Sequence, residues 1–413
     1  MSGQWFVDHL QHEYVPDASG SSTLVADGSV IQTLRPENLH FVLMLGSLGP
    51  GTIDYEVSRY AKDDSGVAIV SHDFVGPYRT DFRLRRSDLT DPVMAGMHTS
   101  VTGLDADDTP IENIQVAGKD WLHYLERRVW PYDATLGYTN WPTGFRFKVT
   151  AGEVGQIVKD ILETVRDVSA NYPLAPDVLG PNPSYSLGFT VDADSTGVPI
   201  NYDIATLDSS SIYSLVQTLS QQGQTRGGFE FYMTWDKVFK LVAPEIGNPL
   251  SPIDTLEVDA IDWFRSVGFT NTGPEATHVL GVGAGTSNQQ GGINKHFPAN
   301  SAVYRRHDKV ADFGNVKNLD ALESLTSLEL AYGSNPIHDI PVEVSPEDIT
   351  NFWTLYRPGE YVSVIYDLGF HQINSVQKIV SMDCTVDTEG VEKVQLGFNQ
   401  FYDASDHSGI NDW

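Results

Sequence analysis

The chain has 413 residues, 40% hydrophobic and 20% charged, a composition that excludes a largely disordered protein. This length is typical of roughly two to four globular domains. The 55 Asp and Glu residues outnumber the 26 Lys and Arg residues, and the net charge of −29 disfavours binding to nucleic acids and to anionic membranes. The acidic side chains could line a channel that DNA crosses without adhering, or they could simply keep the protein soluble. Both interpretations stay open.

Cysteine content and hydropathy indicate where in the cell the protein is located. Cys384 is the one cysteine, so no internal disulfide or cysteine-based zinc cluster can form, and we expect a buried, inert thiol in a strand. The first five residues lack the basic start and apolar core of a signal peptide. The longest apolar run, residues 41–45, is far shorter than a membrane span. We therefore expect a soluble protein made in the cytoplasm, with no membrane anchor.

The first segment, residues 1–130, is predicted to consist mainly of strands. The many Gly, Pro and aromatic residues of the chain favour short strands joined by turns. Residues 53–57 alternate between apolar and polar after a turn at 49–51, which is typical of a half-buried strand. Other strands are predicted at residues 41–45, 67–70, 80–84, 100–104 and 114–117, the last two joined by an acidic turn at 105–108. A short helix at 121–129, stopped by Pro131, closes the segment.

The second segment, residues 131–250, contains the clearest helical patterns. Thr150 is expected to cap a helix, because Glu153 lies at the capping-box spacing and apolar residues follow at helical spacing as far as Val165. A second amphipathic helix is predicted from residue 211 to Gly223. A Pro-rich connector separates the helices, and a hairpin follows them. These two features are predicted at residues 173–183 and at residues 228–233 with 238–241.

The third segment, residues 251–413, returns to strands. A Gly-, Asn- and Gln-rich loop is predicted at 283–294, and leucines spaced by three indicate a helix at 319–331. Strands are predicted at residues 263–270, 278–282, 342–344, 361–366, 373–386 and 391–398. The turn at 387–390 makes the last two strands a hairpin. The sequence contains no short tandem repeat, which disfavours a solenoid or a propeller.

The glycines at 281, 283 and 285 are spaced as in a loop that cradles phosphate. Such a loop needs a helix N-terminus directly after it, so that free amides face the phosphate groups. Residues 287–294 are polar and lack helical periodicity. We therefore interpret Gly281, Val282, Gly283, Ala284, Gly285 and Thr286 as the exit of a strand, and we expect no nucleotide cofactor.

Three carboxylate pairs could supply the acid and the base of a glycoside hydrolase: Asp63 with Asp64, Asp107 with Asp108, and Asp192 with Asp194. That reaction needs carboxylates roughly 5–10 Å apart across a cleft, one of them with a raised pKa. All three pairs lie in turn-rich stretches, which favours solvated carboxylates. The sequence also lacks the Gly-x-Ser-x-Gly motif of a nucleophile elbow. No catalytic residue is predicted.

Aromatic and histidine side chains offer two other candidate sites. One is a cluster around Pro131 and Pro142 that could stack on sugar rings or anchor an interface: Trp130, Tyr132, Tyr138 and Trp141. The other is a set of histidines in separate predicted elements: His98, His123, His278 and His371. Their spacing fits no metal site. We favour a packed loop for the aromatic residues and hydrogen-bonded structural roles for the histidines, and no metal is predicted.

Two stretches share an order of elements with a known family. Residues 103–128 contain a strand, a Gly118-Lys119-Asp120 turn and a helix that ends in Leu125-Glu126-Arg127-Arg128. Residues 278–398 contain a strand and glycine loop, a Tyr- and Arg-rich stretch, the leucine-spaced helix, a turn at 357–360 and the final hairpin. This series resembles the tail-tip hub, or minor tail, proteins of long-tailed phages, especially those of actinobacteria. Glu360 departs mildly from the Gly-Asp that is usual at that turn.

The resemblance implies an α+β, mainly β protein. Two tail-tube-like β-barrel domains, at residues 1–130 and 251–413, would flank a helix-bearing α+β insertion at residues 131–250. The protein would be a homotrimer at the tail tip of a virion assembled in the host cytoplasm, joining the hexameric tube to the threefold tip around the DNA-ejection channel. Its partners would be the distal tail protein and the tail tube above, the tape measure protein in the lumen, and tip or fibre proteins below.

Two other functions stay open. A peripheral receptor- or glycan-binding tail protein would use the aromatic residues at 130–141. An acidic glycoside hydrolase would need two buried carboxylates that face a cleft. We predict a structural protein rather than an enzyme.

Overall fold

A computed structural model gives the fold of most of the chain. It describes residues 3–11, 13–16, 22–25, 30–58, 80–104, 113–128, 146–171, 188–197, 199–205, 211–224, 228–258, 264–266, 270–272, 275–284, 291–296, 305–313, 319–333, 337–339, 342–346, 349, 351–367, 372–400 and 411–412. The protein is mainly β, as predicted. Among the described helices, none combines the length and the apolar character needed to cross a bilayer.

The first segment consists of nine strands and a short helix in its described part. These are β1 (Trp5–Gln11), β2 (Glu13–Pro16), β3 (Ser22–Val25), β4 (Val30–Leu34), β5 (Leu39–Met44), β6 (Thr52–Ser58), β7 (Thr80–Arg86), β8 (Met94–Leu104), β9 (Asn113–Asp120) and α1 (Leu122–Glu126). The alternation predicted at 53–57 is confirmed, because Ile53, Tyr55 and Val57 are buried while their neighbours in β6 are partly exposed. The strand predicted at 67–70 and the turn at 105–108 lie outside the described residues.

The second segment contains two helices and two small groups of strands. Its elements are β10 (Arg146–Glu153), α2 (Val154–Asn171), β11 (Thr190–Ala193), β12 (Pro199–Ala205), α3 (Ile212–Gln224), β13 (Glu230–Met233) and β14 (Val238–Val242). The predicted hairpin is confirmed, because β13 and β14 pair antiparallel. The Pro-rich connector at 173–183 lies outside the described residues.

The capping residue predicted for α2 is wrong. Thr150 lies within β10, which continues to Glu153 and pairs with β12. The carboxylate of Glu153 itself caps the helix, since it accepts hydrogen bonds from the amides of Gly155 (3.0 Å) and Gln156 (2.8 Å). Pairing with a distant strand extends β10 by three residues past the local capping signal.

The third segment contains most of the remaining strands. Its elements are β15 (Thr255–Val258), β16 (Phe264–Ser266), β17 (Thr270–Thr272), β18 (His278–Val282), β19 (Gly292–His296), β20 (Asp308–Asp312), α4 (Leu319–Gly333), β21 (Ile337–Asp339), β22 (Val342–Val344), α5 (Phe352–Leu355), β23 (Tyr361–Asp367), β24 (Gln372–Val386), β25 (Glu392–Gln400) and β26 (Asn411–Asp412). The predicted helix and final hairpin are confirmed.

Two predictions in the third segment need correction. The single strand predicted at 263–270 is two short strands, since β16 pairs with β22 whereas β17 pairs with β21. The predicted loop at 283–294 ends early, because residues 292–294 belong to β19, which pairs antiparallel with β18. In β19 Lys295 is buried whereas Gly292 and Asn294 are exposed, so pairing occurs with little apolar alternation.

One large sheet unites the first and third segments. Thirteen described strands form it. Eleven follow the order β16-β22-β25-β24-β5-β6-β9-β8-β7-β1-β4, and β23 branches from β24 and pairs in turn with β15. The 15-residue β24 makes the junction, since its first half pairs with β23 and its second half pairs with β5. The two segments therefore share a backbone ladder. The arrangement as two barrel domains, and the boundaries of the three domains, stay predictions.

Two large apolar cores and a small third one, of Ala276, Val279, Ala311 and Leu330, lie among the described residues. The first is enclosed by the large sheet and combines side chains from both segments, among them Phe41, Phe82, Met382 and Leu396. The second lies between α1, α2, α3 and the β13–β14 hairpin. Cys384 belongs to the first core, where burial raises the pKa of its thiol well above the ordinary value. The predicted buried cysteine is confirmed.

Candidate functional site

The large sheet curls until strands that are distant in its order meet across the core. The buried carboxylate of Glu392, in β25, accepts hydrogen bonds from the indole of Trp5 in β1 (2.9 Å) and from the indole of Trp353 in α5 (3.0 Å). It also accepts one from the guanidinium of Arg86 in β7, at 2.9 Å. Arg86 extends the network to Asp88. These bonds satisfy the buried charges and hold the curl closed.

A second buried network joins the helix-bearing segment to the large sheet. The ammonium of Lys378, in β24, lies 2.6 Å from Oε1 of Glu230 and 3.1 Å from Oε2 of Glu245. The Tyr361 hydroxyl donates to Glu245, and Lys378 lies 4.9 Å from the centre of the Tyr361 ring. Burial raises the pKa of Glu230, although the ammonium opposes that shift. The attachment of the helix-bearing segment to the large sheet therefore depends on the buried ammonium of Lys378.

Asp120 holds the turn where β9 meets α1. One carboxylate oxygen accepts the Gly51 amide (2.8 Å) and the other accepts the Leu122 amide (3.0 Å). Burial raises the pKa of Asp120 to about 7, against these two amides, which lower it. The turn predicted at Gly118-Lys119-Asp120 is wrong, because these residues are the paired end of β9. The family resemblance partly rests on this stretch, yet the sequence did not single out Asp120 as a site. An Asp just before a helix is the signal that could have found it.

Helix α3 contacts the turn after β5 through side chains. The Tyr213 hydroxyl donates to the Gly46 carbonyl (2.7 Å), and the Gln217 amide donates to the Ser47 carbonyl (2.7 Å). Gly46 lies so close to Phe231 that a Cβ there would be 2.1 Å from a backbone oxygen. The close approach of the two backbones requires glycine at position 46. This contact holds the second segment against the first.

The predicted glycine loop leads into a hairpin. Gly281 lies inside β18 and faces α4, where a Cβ would meet the Thr326 hydroxyl at 1.8 Å. The Gly283 amide donates to the Gly291 carbonyl (2.9 Å), which continues the pairing of β18 with β19. Gly285 and Thr286 lie outside the described residues. Gly281 therefore has a packing role between a sheet and a helix.

The carboxylate pair that falls on described residues lies on an exposed strand. Asp192 forms an ion pair with Lys240 on the neighbouring β14, and Asp194 accepts the Ala243 amide at 3.4 Å. Asp192 in β11 and Asp194 just after it are both engaged by their own sheet rather than placed across a cleft. The other two pairs, Asp63 with Asp64 and Asp107 with Asp108, lie outside the described residues.

His98 belongs to a buried cluster that the sequence did not reveal. Its ring stacks on that of His9 with centroids 4.9 Å apart. The Tyr55 hydroxyl lies 2.9 Å from Nε2 of His98 and 3.1 Å from Nε2 of His9, and the Thr80 hydroxyl lies 2.8 Å from Nδ1 of His98. Burial lowers the pKa of His98 to about 3, so the ring is neutral. Strand pairing across β1, β7 and β8 assembles this cluster.

The remaining candidates are dispersed. His123 lies 2.6 Å from Glu126, and the His278 ring stacks on His296 at 5.4 Å. His371 and the aromatic cluster of Trp130, Tyr132, Tyr138 and Trp141 lie outside the described residues. Among the residues that the structure describes, no three His, Cys, Asp or Glu side chains are arranged to hold a metal ion.

Solved structures with the same arrangement come from phage tails. A tail protein from Neisseria meningitidis MC58 has a TM-score of 0.57 and 12% identity over 97% of both chains. The 43 kDa tail protein of prophage MuSo2 from Shewanella oneidensis has a TM-score of 0.59 and 11% identity over 97% of this chain and 98% of its own. Prophage tail protein gp18 from Listeria monocytogenes EGD-e has a TM-score of 0.50 and 10% identity over 98% of both chains.

The chain has the fold of these phage tail proteins. The match spans nearly its whole length, so both the sheet-forming segments and the helix-bearing segment belong to the tail-protein fold. No protein-family model and no curated protein matches the sequence. The narrower resemblance to proteins of actinobacteriophages stays a prediction.

The sheets of the described residues end at strands that have a described neighbour on one side alone. Within the described residues, β4 and β16 end the large sheet and β20 ends the four-stranded sheet β20-β18-β19-β26. An open edge presents unpaired amides and carbonyls that can pair with another chain. Val30 in β4 and Val310 in β20 are exposed apolar residues on such edges. These edges are the candidate assembly surfaces of the molecule.

Proposed function

We propose that the protein is a structural component of a phage tail, the trimeric hub of the tail tip. It would join the hexameric tail tube to the threefold tip and surround the channel through which DNA is ejected. The observation that carries this proposal is the tail-protein fold, which matches over 97% of the chain. The order of sequence elements predicted for a hub, between His278 and Phe398, supports the same assignment.

The buried networks support a scaffold role. Glu392 joins the two sheet-forming segments, and Lys378 joins the helix-bearing segment to them. Both networks cross between segments that are far apart in the chain, so the described part of the molecule is fastened as one unit. A hub that transmits load between a tube and a tip needs such fastening.

Open edges and acidic charge support a ring around a channel. Pairing of β4, β16 or β20 between copies would cover edges that otherwise promote aggregation. The net charge of −29 would keep DNA from adhering to a lumen wall. The titratable groups His98, Asp120, Glu230 and Glu392 all have protein hydrogen-bond partners. We therefore propose a structural rather than a catalytic role.

The oligomeric state tests the proposal. Light scattering on the purified chain should give three times the chain mass of 45.5 kDa, and electron microscopy should show rings with a central opening. A stable monomer would overturn the hub, and a monomer that binds glycans would favour a peripheral receptor-binding component. A ring whose inner wall is basic would contradict the role proposed for the acidic charge.

The proposed location defines the expected partners. The distal tail protein and the tail tube would lie above the ring, the tape measure protein in its lumen, and tip or fibre proteins below it. Co-expression with candidate tail proteins from the same phage, followed by electron microscopy, should yield a ring capped on both faces. Rings that accept no tail protein on either face would contradict these partners.

A further inference from the structure

A cavity of about 310 Å³ opens where the three segments meet. Three thioethers, one from each of β5, β8 and β13, line it: Met44, Met94 and Met233. Trp353 and Tyr356 line it from the third segment. The Trp353 indole donates to Glu392, and the Tyr356 hydroxyl donates to Asp254 at 2.6 Å, so both rings are fixed by bonds directed away from the cavity. The apolar wall is therefore preformed.

The charged lining of the cavity is strongly acidic. Four carboxyl side chains and one guanidinium line it: Asp91, Asp120, Asp236, Glu360 and Arg357. Asp120 is engaged by two backbone amides and Asp236 by the Thr234 hydroxyl. Burial raises the pKa of the half-buried Glu360 carboxyl, against the nearby cations of Lys378 and Arg357, which lower it. The desolvation of this carboxylate is therefore only partly offset, and a further cation in the cavity would stabilise its charged form.

Cations already stack on indoles beside this cavity. The guanidinium of Arg83 lies 5.6 Å from the ring centre of Trp235, which lines the cavity, and the ammonium of Lys237 lies 4.6 Å from that of Trp121. The volume lies at the low end of ligand pockets, which are roughly 300–1,000 Å³, so it suits one or two side chains. Thioethers and indoles accept the aliphatic stem of a long basic side chain.

We propose that this cavity binds a lysine or arginine side chain presented by a partner protein, with Glu360 as its counter-ion. The stem would lie on the thioethers, and the cation would face Glu360 and the acidic rim. The partner is a protein other than this chain that presents a basic surface, because the charged lining of the cavity is acidic. The site goes beyond the proposed hub function and needs no particular oligomeric state.

Methionine methyl groups report on the cavity directly. The full chain, labelled with [13C-methyl]methionine, is titrated with acetyl-Gly-Arg-Gly-amide and with the same peptide carrying neutral citrulline in place of arginine. The arginine peptide should shift the methyl signals of Met44, Met94 and Met233 saturably. The signal of Met382, buried in the first core, should stay unchanged. Citrulline preserves the shape of arginine without its charge, so its peptide should bind at least tenfold more weakly.

Matched variants locate the counter-ion. Glu360→Gln should weaken the arginine peptide at least tenfold, whereas Glu389→Gln, in the exposed β24–β25 turn, should leave it unchanged. If Glu360→Gln fails to fold, the wild-type titration is repeated from 50 to 500 mM NaCl, where affinity should fall with salt. Equal binding of both peptides, or binding that is independent of salt, would overturn the proposal. Shifts of the same methyls on concentration without peptide would assign the cavity to a second copy and also overturn it.

Discussion

The large sheet and the helix-bearing segment are stabilised in different ways. The first and third segments share a backbone ladder between β24 and β5 and a common apolar core, and Glu392 fastens the curl from within. The helix-bearing segment shares the second core with α1 of the first segment, and the side chains of Lys378, Tyr213 and Gln217 attach it further through polar contacts. The sheet should therefore unfold as one unit, whereas the attachment of the helices can be weakened by single substitutions.

The largest effect is expected for the residue that closes the sheet. Glu392→Ala would leave Arg86 with one carboxylate fewer and deprive Trp5 and Trp353 of their acceptor, all inside the core. We expect the free energy of unfolding in urea to fall by about 3–5 kcal/mol. The exposed Glu389→Ala should change it by less than about 0.5 kcal/mol. A similar small loss for both variants would contradict the role of Glu392.

The next effect concerns the attachment of the helix-bearing segment. Lys378→Met would leave Glu230 and Glu245 without their cation, and we expect a loss of about 2–4 kcal/mol. The double variant Lys378→Met, Glu230→Gln should recover part of it, as measured by a double-mutant cycle. Lys393→Met, on the exposed side of β25, is the matched control. Strictly additive losses would show that the two side chains are not coupled.

A smaller, pH-dependent effect is expected at Asp120. Its pKa in the folded protein, about 7, lies above its ordinary value of 3.8, so the folded state binds the extra proton. Its contribution is therefore fully present below pH 4 and is lost as pH rises through 7. We compare the free energy of unfolding in urea of the wild type with that of Asp120→Asn. From pH 4 to pH 8, the wild-type value should fall relative to that of the variant by about 1–3 kcal/mol. The rim variant Asp91→Asn should keep the wild-type profile. A wild-type stability that rises relative to Asp120→Asn over this range would refute the shift.

The smallest effect is expected where α3 contacts the turn after β5. Tyr213→Phe removes the donor to the Gly46 carbonyl and should cost about 0.5–1.5 kcal/mol. Hydrogen exchange should show faster opening of α3, while the amides of β5 and β24 stay protected. Tyr232→Phe is the control, because the described residues give its hydroxyl no hydrogen bond. An equal increase in the exchange rates of the β5 and β24 amides would show that the sheet and the helix-bearing segment do not open independently.

Local patterns predicted most elements but few of the contacts between them. The alternation around Tyr55, the helix beginning near Ser211 and the turn at 387–390 could each be read from neighbours along the chain. The cap predicted at Thr150 is wrong because strand pairing with β12 overrides the local capping signal. The loop predicted to continue through residues 292–294 is wrong because β19 pairs with β18 through backbone hydrogen bonds with little apolar alternation in its sequence. The His9–His98 cluster could not be predicted from the sequence, because the two rings meet only through the register of paired strands.

By itself, the sequence determined a mainly β, acidic protein with its two clearest amphipathic helices in the middle of the chain and one buried thiol. These properties depend on composition and on residues two to four positions apart, where periodicity is informative. Only the tertiary structure decided that β24 joins the first segment to the third, and that Glu392 meets Trp5 across 387 positions of sequence. Such contacts follow from the curl of the sheet, which accumulates strand by strand and leaves no periodic trace in the chain.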